Sequence, residues 1–103
     1  MNHNYQELEQ LFSGYFHEGW KEFTDWQGEK PNFEKVIQNY KIDSSPEELE
    51  MAKKELTSLL SQNYSEDKLR DILLYELHNN FRAPGIGLTY QQWLKKILDL
   101  LSA

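Results

Sequence analysis

The side chains that could support catalysis are three histidines and seventeen carboxylates. His17 and Glu18 begin a pattern similar to the zinc-protease motif, but HEGWK lacks the second histidine that would place two ligands on one helix face. A ribonuclease-like acid–base pair of His17 and His78 with a lysine would require the fold to bring both rings together. No glycine-rich phosphate loop follows a strand, and no serine lies in a nucleophile elbow. The sequence therefore predicts no catalytic residue, no metal site and no cofactor, and it favours a binding protein over an enzyme.

Amino-acid composition limits the classes of protein to which this chain can belong. The chain has 103 residues, a length that predicts one domain, 1–103. It has no cysteine, which excludes disulfides and thiolate chemistry. Its first ten residues are polar and acidic, and no stretch approaches the roughly 20 apolar residues that a membrane span needs. We therefore expect a cytoplasmic protein that does not bind membranes.

The acidic charge is concentrated in the first two thirds of the chain. Residues 1–67 carry 14 acidic and 6 basic side chains, a net of −8, whereas residues 68–103 carry 3 and 5, a net of +2, giving −6 in total. Direct binding of DNA or RNA requires the opposite field, so we expect none. A basic protein partner is favoured, although an acidic surface also simply keeps a small protein soluble.

Helices are predicted to position these side chains. The segment LEQLFSGYFHEGW places large apolar residues three and four apart, as one face of a helix does. This pattern predicts a first helix from about Asn4 to Ser13, which Gly14 and Gly19 either kink or follow with a second short helix ending near Thr24. The stripe is predicted to be core, with the alternative that Tyr15 or Trp20 reaches the surface as a partner anchor; its members are Leu8, Leu11, Phe12, Tyr15, Phe16 and Trp20.

Three capping signals place the later helices. Ser45 with Glu48 and Thr89 with Gln92 have the spacing of capping boxes, and Ser65 is the cap between them. The apolar stripes that accompany the later helices are Phe33, Val36, Ile37 and Tyr40; Leu49, Ala52, Leu56, Leu59 and Leu60; Leu69, Ile72 and Leu73, broadened by Leu74 and Leu77; and Tyr90, Trp93, Leu94, Ile97 and Leu101. The sum predicts an all-α fold, a small bundle of five or six short helices.

Two groups of carboxylates are the candidate contacts for a partner. The first acidic patch is defined as Glu18, Glu22, Asp25 and Trp26. Trp26 joins no helical stripe, so it either anchors a partner or closes one end of the core. The second acidic patch is defined as Asp43, Glu47, Glu48 and Glu50. Helix capping and the helix dipole also explain the second patch, and we therefore prefer the first patch as the contact surface.

Three segments of the sequence resemble a known family. The opening LEQLFSGYFHEGW, Leu69-Arg70 with the apolar run that follows, and the closing GLTYQQWLKKIL are similar to blocks of the CdiI-type immunity proteins of bacterial contact-dependent growth inhibition systems. The likeness covers nearly the whole chain in the same order. Its most specific part is the pairing of the YFHEGW block with the GLTYQQWL block.

The resemblance implies a small, cytoplasmic, non-enzymatic protein that neutralises a toxin domain delivered by a neighbouring cell. The implied partner is the C-terminal toxin domain of a cognate CdiA protein. Many such toxins are nucleases, whose basic clefts match the acidic charge of this chain, and a ribonuclease is favoured. A helical adaptor with no toxin partner and a small domain that binds a metabolite remain the alternatives.

Overall fold

The computed structural model describes residues 5–23, 28, 30 and 32–103, and this part of the chain is helical with no strand. A π-helix (Ile72–Glu76) continues the α-helix that ends at Asp71, and a 3-10 helix (Ala83–Ile86) precedes the α-helix that begins at Tyr90. The predicted all-α bundle of five or six short helices is confirmed. Within the described ranges, every helix is too short or too polar to cross a membrane. The α-helices are α1 (Gln6–Tyr15), α2 (Trp20–Phe23), α3 (Phe33–Asp43), α4 (Pro46–Ser61), α5 (Glu66–Asp71) and α6 (Tyr90–Ser102).

The predicted helix caps are present. At the start of α4, Ser45 Oγ accepts the Glu48 N–H (3.1 Å) and Glu48 Oε1 accepts the Ser45 N–H (2.8 Å). Thr89 and Gln92 form the same reciprocal pair at α6, with distances of 3.0 and 2.9 Å. Because both partners of a capping box lie within four residues, sequence spacing is enough to predict it.

A cluster of aromatic rings joins the two ends of the chain. Phe16, just after α1, has its ring centroid 5.3 Å from that of Trp93 on α6 and 5.5 Å from that of Phe81 in the segment between the π-helix and the 3-10 helix. Phe81 and Trp93 are stacked at 4.6 Å. Trp20 on α2 completes the cluster 5.3 Å from Phe81 and is only 8% exposed, so it is core and not a surface anchor. The predicted aromatic core is therefore confirmed.

The π-helix changes which side chains are buried. Its defining bond runs from the Leu77 N–H to the Ile72 carbonyl, five residues back, at 3.0 Å. The wider turn keeps Leu77 on the buried side with Leu73, whereas Leu74 is 40% exposed. The prediction that Leu74 broadens the buried face is wrong, because Leu74 follows Ile72 by two residues and therefore lies on nearly the opposite side of the helix.

A buried glutamate on α4 replaces the missing cap of α1. Tyr5, at the N-cap position of α1, makes no side-chain capping bond. Glu55 Oε1 instead accepts the Leu8 N–H at 3.0 Å, across 47 residues of sequence. The Glu55 side chain is buried, and that burial raises its pKa above the ordinary value, although the backbone N–H groups of Leu8 and Glu7 oppose the shift. Glu55 thus ties α4 to the first turn of α1.

Two substitutions at Glu55 should separate its hydrogen bond from its charge. Glu55→Ala leaves the Leu8 N–H without a partner and should cost about 1–3 kcal/mol of unfolding free energy. Glu55→Gln keeps a carbonyl acceptor and removes the charge. Because the folded-state pKa of Glu55 is raised, the wild type loses stability as the pH rises from 4.5 through that pKa. The stability of Glu55→Gln relative to the wild type should therefore increase across this window.

Urea unfolding from pH 4 to pH 8 measures this difference. Glu47→Gln, at an exposed glutamate of the same helix that makes no hydrogen bond or ion pair with a described residue, is the matched control for the loss of one carboxylate. A difference between Glu55→Gln and wild type that stays constant with pH would contradict the assigned shift.

Candidate functional site

The described part of the first acidic patch lies on either side of Gly19. Glu18 and Glu22 are both exposed, and Gly19 adopts φ +84°, which favours glycine, at the turn into α2. The Glu22 N–H donates to the Gly19 carbonyl at 2.9 Å, so the start of α2 fixes where that carboxylate projects. Asp25 and Trp26 lie outside the described residues, and their contact roles stay predictions.

The second acidic patch surrounds the junction of α3 and α4, and all four of its carboxylates are exposed. Glu48 closes the capping box of α4, as its spacing predicted. Glu50 Oε2 lies 2.6 Å from Lys53 Nζ, and Asp43 Oδ2 accepts a hydrogen bond from the Tyr15 hydroxyl at 2.8 Å. Glu47 makes no hydrogen bond or ion pair with any described residue. Three of these carboxylates therefore have a structural contact, and Glu47 leaves its full charge to the surface.

Tyr15 and Tyr40 pack against each other, and Tyr15 binds a carboxylate of the second acidic patch. The rings of Tyr15 and Tyr40 are perpendicular with centroids 5.4 Å apart, and the Tyr40 hydroxyl donates to Glu7 Oε2 at 2.7 Å. Burial, followed by the hydrogen bond to Asp43, raises the pKa of Tyr15 to about 12. Burial and Glu7 likewise raise the pKa of Tyr40. Both hydroxyls therefore remain donors at neutral pH and hold Asp43 and Glu7 in place.

Exposed apolar side chains adjoin the second patch, and the sequence analysis missed them. Ile42, next to Asp43 at the end of α3, is 79% exposed, and Met51 on α4 is 48% exposed. Met51 follows Glu47 and Glu48 by four and three residues, so all three share one side of α4. The sequence indicates this exposure for Ile42, because Ile42 falls outside the apolar stripe of α3, which ends at Tyr40. Apolar groups beside carboxylates are an arrangement common to protein interfaces.

A concave surface that carries two arginines lies elsewhere, and the sequence did not predict it. A cavity of about 560 Å³ is lined by residues of α5, the 3-10 helix and the start of α6, and a smaller one of about 130 Å³ lies nearby. Arg70 and Arg82 line both cavities. The exposed carboxylates of Glu66 and Asp67 also line the larger cavity, so this surface combines arginines with carboxylates.

Catalytic and metal-binding arrangements are absent from the described ranges. His17 Nδ1 lies 2.6 Å from the Glu18 carbonyl oxygen, and His78 Nε2 lies 3.7 Å from Glu9 Oε2. No hydrogen bond or ring contact between the two histidines occurs among these residues. No group of three His, Asp or Glu side chains there could hold a metal ion. The geometry supports binding by surface charge and apolar contacts.

Comparisons with known proteins agree with this geometry. A family described as CdiI immunity protein matches residues 4–101. A chain in the crystal structure of a CdiA-CT/CdiI complex from Y. kristensenii is similar over 95% of this chain and 98% of its own length, with 26% sequence identity and a TM-score of 0.83. The comparison with curated proteins finds no match.

Removing the hydroxyl of Tyr15 should loosen the second patch without unfolding the protein. Tyr15→Phe deletes the donor to Asp43 and should cost about 0.5–1.5 kcal/mol of unfolding free energy at pH 7, as measured by urea denaturation. Asp43→Ala is the matched change on the acceptor side, and combining it with Tyr15→Phe should add little, because both remove the same bond. Fully additive costs would contradict the assigned hydrogen bond.

Proposed function

This chain belongs to the CdiI immunity protein family, and from that membership we propose that it binds the C-terminal toxin domain of its cognate CdiA protein and blocks the active site or substrate cleft of that domain. CdiI immunity proteins are inhibitors rather than enzymes, and this chain is a toxin-neutralising immunity protein of that kind. The proposal places the encounter in the cytoplasm.

One observation carries the choice of partner. The chain matches, over 95% of its length, a chain from a CdiA-CT/CdiI complex. A shared fold of this extent supports a CdiA C-terminal domain as the partner, while the surface side chains determine which toxin is recognised.

The charge supports a basic nuclease as the toxin. Nucleases attract phosphates with positively charged clefts, and a complementary acidic surface speeds association with such a cleft. Glu18, Glu22 and Glu47 expose their carboxylates to solvent, so they are available to such a partner. Among nucleases we favour a ribonuclease, by analogy with other contact-dependent toxins.

Both acidic patches contribute to the proposed contact. In the second patch, Ile42 and Met51 add exposed apolar area beside the carboxylates, which is where hot-spot contacts form. In the first patch, Glu18 and Glu22 supply charge, and Trp26 is the proposed anchor. The carboxylates would set the association rate, and the apolar groups would set the lifetime of the complex.

Titration and growth rescue test the proposal directly. The cognate toxin domain should form a 1:1 complex with a dissociation constant on the order of nanomolar or tighter by calorimetry. Expression of this chain should restore growth of cells that produce the toxin. No binding and no rescue, with a folded sample and an active toxin, would overturn the proposal for that pair and favour the adaptor alternative.

Charge reversal compares the two patches with the same change in charge. Glu18→Lys/Glu22→Lys and Glu47→Lys/Glu50→Lys each replace two negative charges with two positive ones, so each pair makes the same change in net charge. A patch that faces a basic cleft should lose on the order of tenfold in association rate at low salt, and the loss should shrink as salt screens the charges. Stopped-flow measurements at two salt concentrations provide both numbers. Equal losses for both pairs would show an effect of net charge alone, and a salt-independent loss would contradict steering.

A further inference from the structure

The strongest feature that the acidic patches do not explain is a surface of arginine and apolar side chains beside the π-helix. Tyr75 is 71% exposed and Leu74 is 40% exposed, although both lie within a helical segment whose other apolar residues are buried. Both lie in the π-helix Ile72–Glu76, and π-turns inside α-helices occur frequently at functional sites. Large side chains of this kind in solvent are expected where a partner covers them.

Arg82 lines the two cavities described above, and its positive charge has no ion-pair partner among the described residues. Its side chain is exposed and makes no hydrogen bond or ion pair with any residue in the described part of the chain. Arg70 differs, since its guanidinium donates to Asp71 Oδ1 at 3.2 Å and lies 3.6 Å from Asp67. The surface therefore has one arginine already paired with carboxylates and one that is free to bind a carboxylate.

The backbone around Arg82 is held rigidly. Phe81 and Ala83, on either side of it, are buried, and the ring of Phe81 is stacked on Trp93. The side chain of Asn79 accepts the Phe81 N–H at 3.2 Å and donates to the Phe81 carbonyl at 2.9 Å. A side chain that projects from a fixed backbone loses less entropy on binding.

We propose that Arg70, Leu74, Tyr75 and Arg82 form a second contact surface for the toxin domain, and that this surface receives a segment of the toxin that bears a carboxylate. Tyrosine and arginine are the residues most enriched in interface hot spots. The guanidinium of Arg82 can take a carboxylate with two parallel hydrogen bonds. A single free arginine beside Asp67 and Glu66 matches one carboxylate better than it matches a polyphosphate chain.

This surface rests on the proposed function and adds to its specificity. A matching toxin must present a basic region to the acidic patches and, elsewhere, a carboxylate to Arg82. A toxin with only one of these features places like charges together or leaves Arg82 unpaired, and it binds less tightly. The surface therefore selects the cognate toxin among toxins that share a basic cleft.

Two substitutions and one matched control test the surface. Arg82→Glu and Tyr75→Ala should each weaken binding of the cognate toxin domain by roughly tenfold or more, mainly through faster dissociation. Lys95→Glu makes the same charge change as Arg82→Glu on the exposed side of α6, away from the cavities, and should change the affinity by less than about threefold. All three side chains are exposed, and circular dichroism confirms that each variant is folded.

A charge swap identifies the partner group. Exposed Asp and Glu residues of the toxin are changed singly to Arg. One of these toxin variants should bind the Arg82→Glu variant tightly and the wild type weakly. Binding of Arg82→Glu and Tyr75→Ala that equals the wild type, while the wild type binds tightly, would overturn this surface alone. Failure of the wild type to bind would overturn the proposed function together with it.

Self-association provides the remaining contrary outcome. Sedimentation of the free protein shows whether two copies pair an acidic patch with the arginine surface. If the wild type is a dimer and Arg82→Glu is a monomer with unchanged affinity for the toxin, the surface binds a second copy of this chain, and the proposal is overturned.

Discussion

The contact on which the rest of the structure depends is the packing of Phe16, Phe81 and Trp93. These rings come from the two ends of the chain and from the segment before the 3-10 helix, and their centroids lie 4.6 to 5.5 Å apart. Aromatic rings bury a large area at little cost in rotamer entropy, which suits a chain too short for a large aliphatic core. Through Phe81, the same contact also determines where Arg82 projects.

Carboxylates have two distinct uses in this protein. Glu55 accepts the Leu8 N–H at the start of α1, and Glu66 on α5 accepts the N–H groups of Tyr90 and Gln91 at the start of α6. Both stabilise helix N-termini, where backbone donors and the helix dipole favour negative charge. Glu55 and Glu66 are therefore engaged within the fold, whereas Glu18, Glu22 and Glu47 face solvent.

An immunity protein needs strong binding to one toxin and weak binding to its relatives. The two proposed contact surfaces would meet this need in different ways. The proposed acidic contact attracts any basic cleft and speeds association, whereas the proposed arginine contact requires a carboxylate at a fixed position. The aromatic packing keeps both surfaces in a constant relation, so a partner must match them together.

Sequence alone determined the features that depend on residues close in the chain. The capping boxes at Ser45 and Thr89 and the aromatic stripe of α1 follow from spacings of three and four residues, and the resemblance to immunity proteins lies in the same local blocks. Tertiary structure decided the features that join distant residues: the Glu55 bond to Leu8 spans 47 positions and the Tyr15 bond to Asp43 spans 28. The burial of Leu77 depends on a π-helix that a 3.6-residue period does not predict, and the proposed role of Arg82 depends on the burial of Phe81. The physical reason is that local hydrogen bonds and helix periodicity act within a few residues, whereas burial and long-range polar contacts exist only once the helices pack.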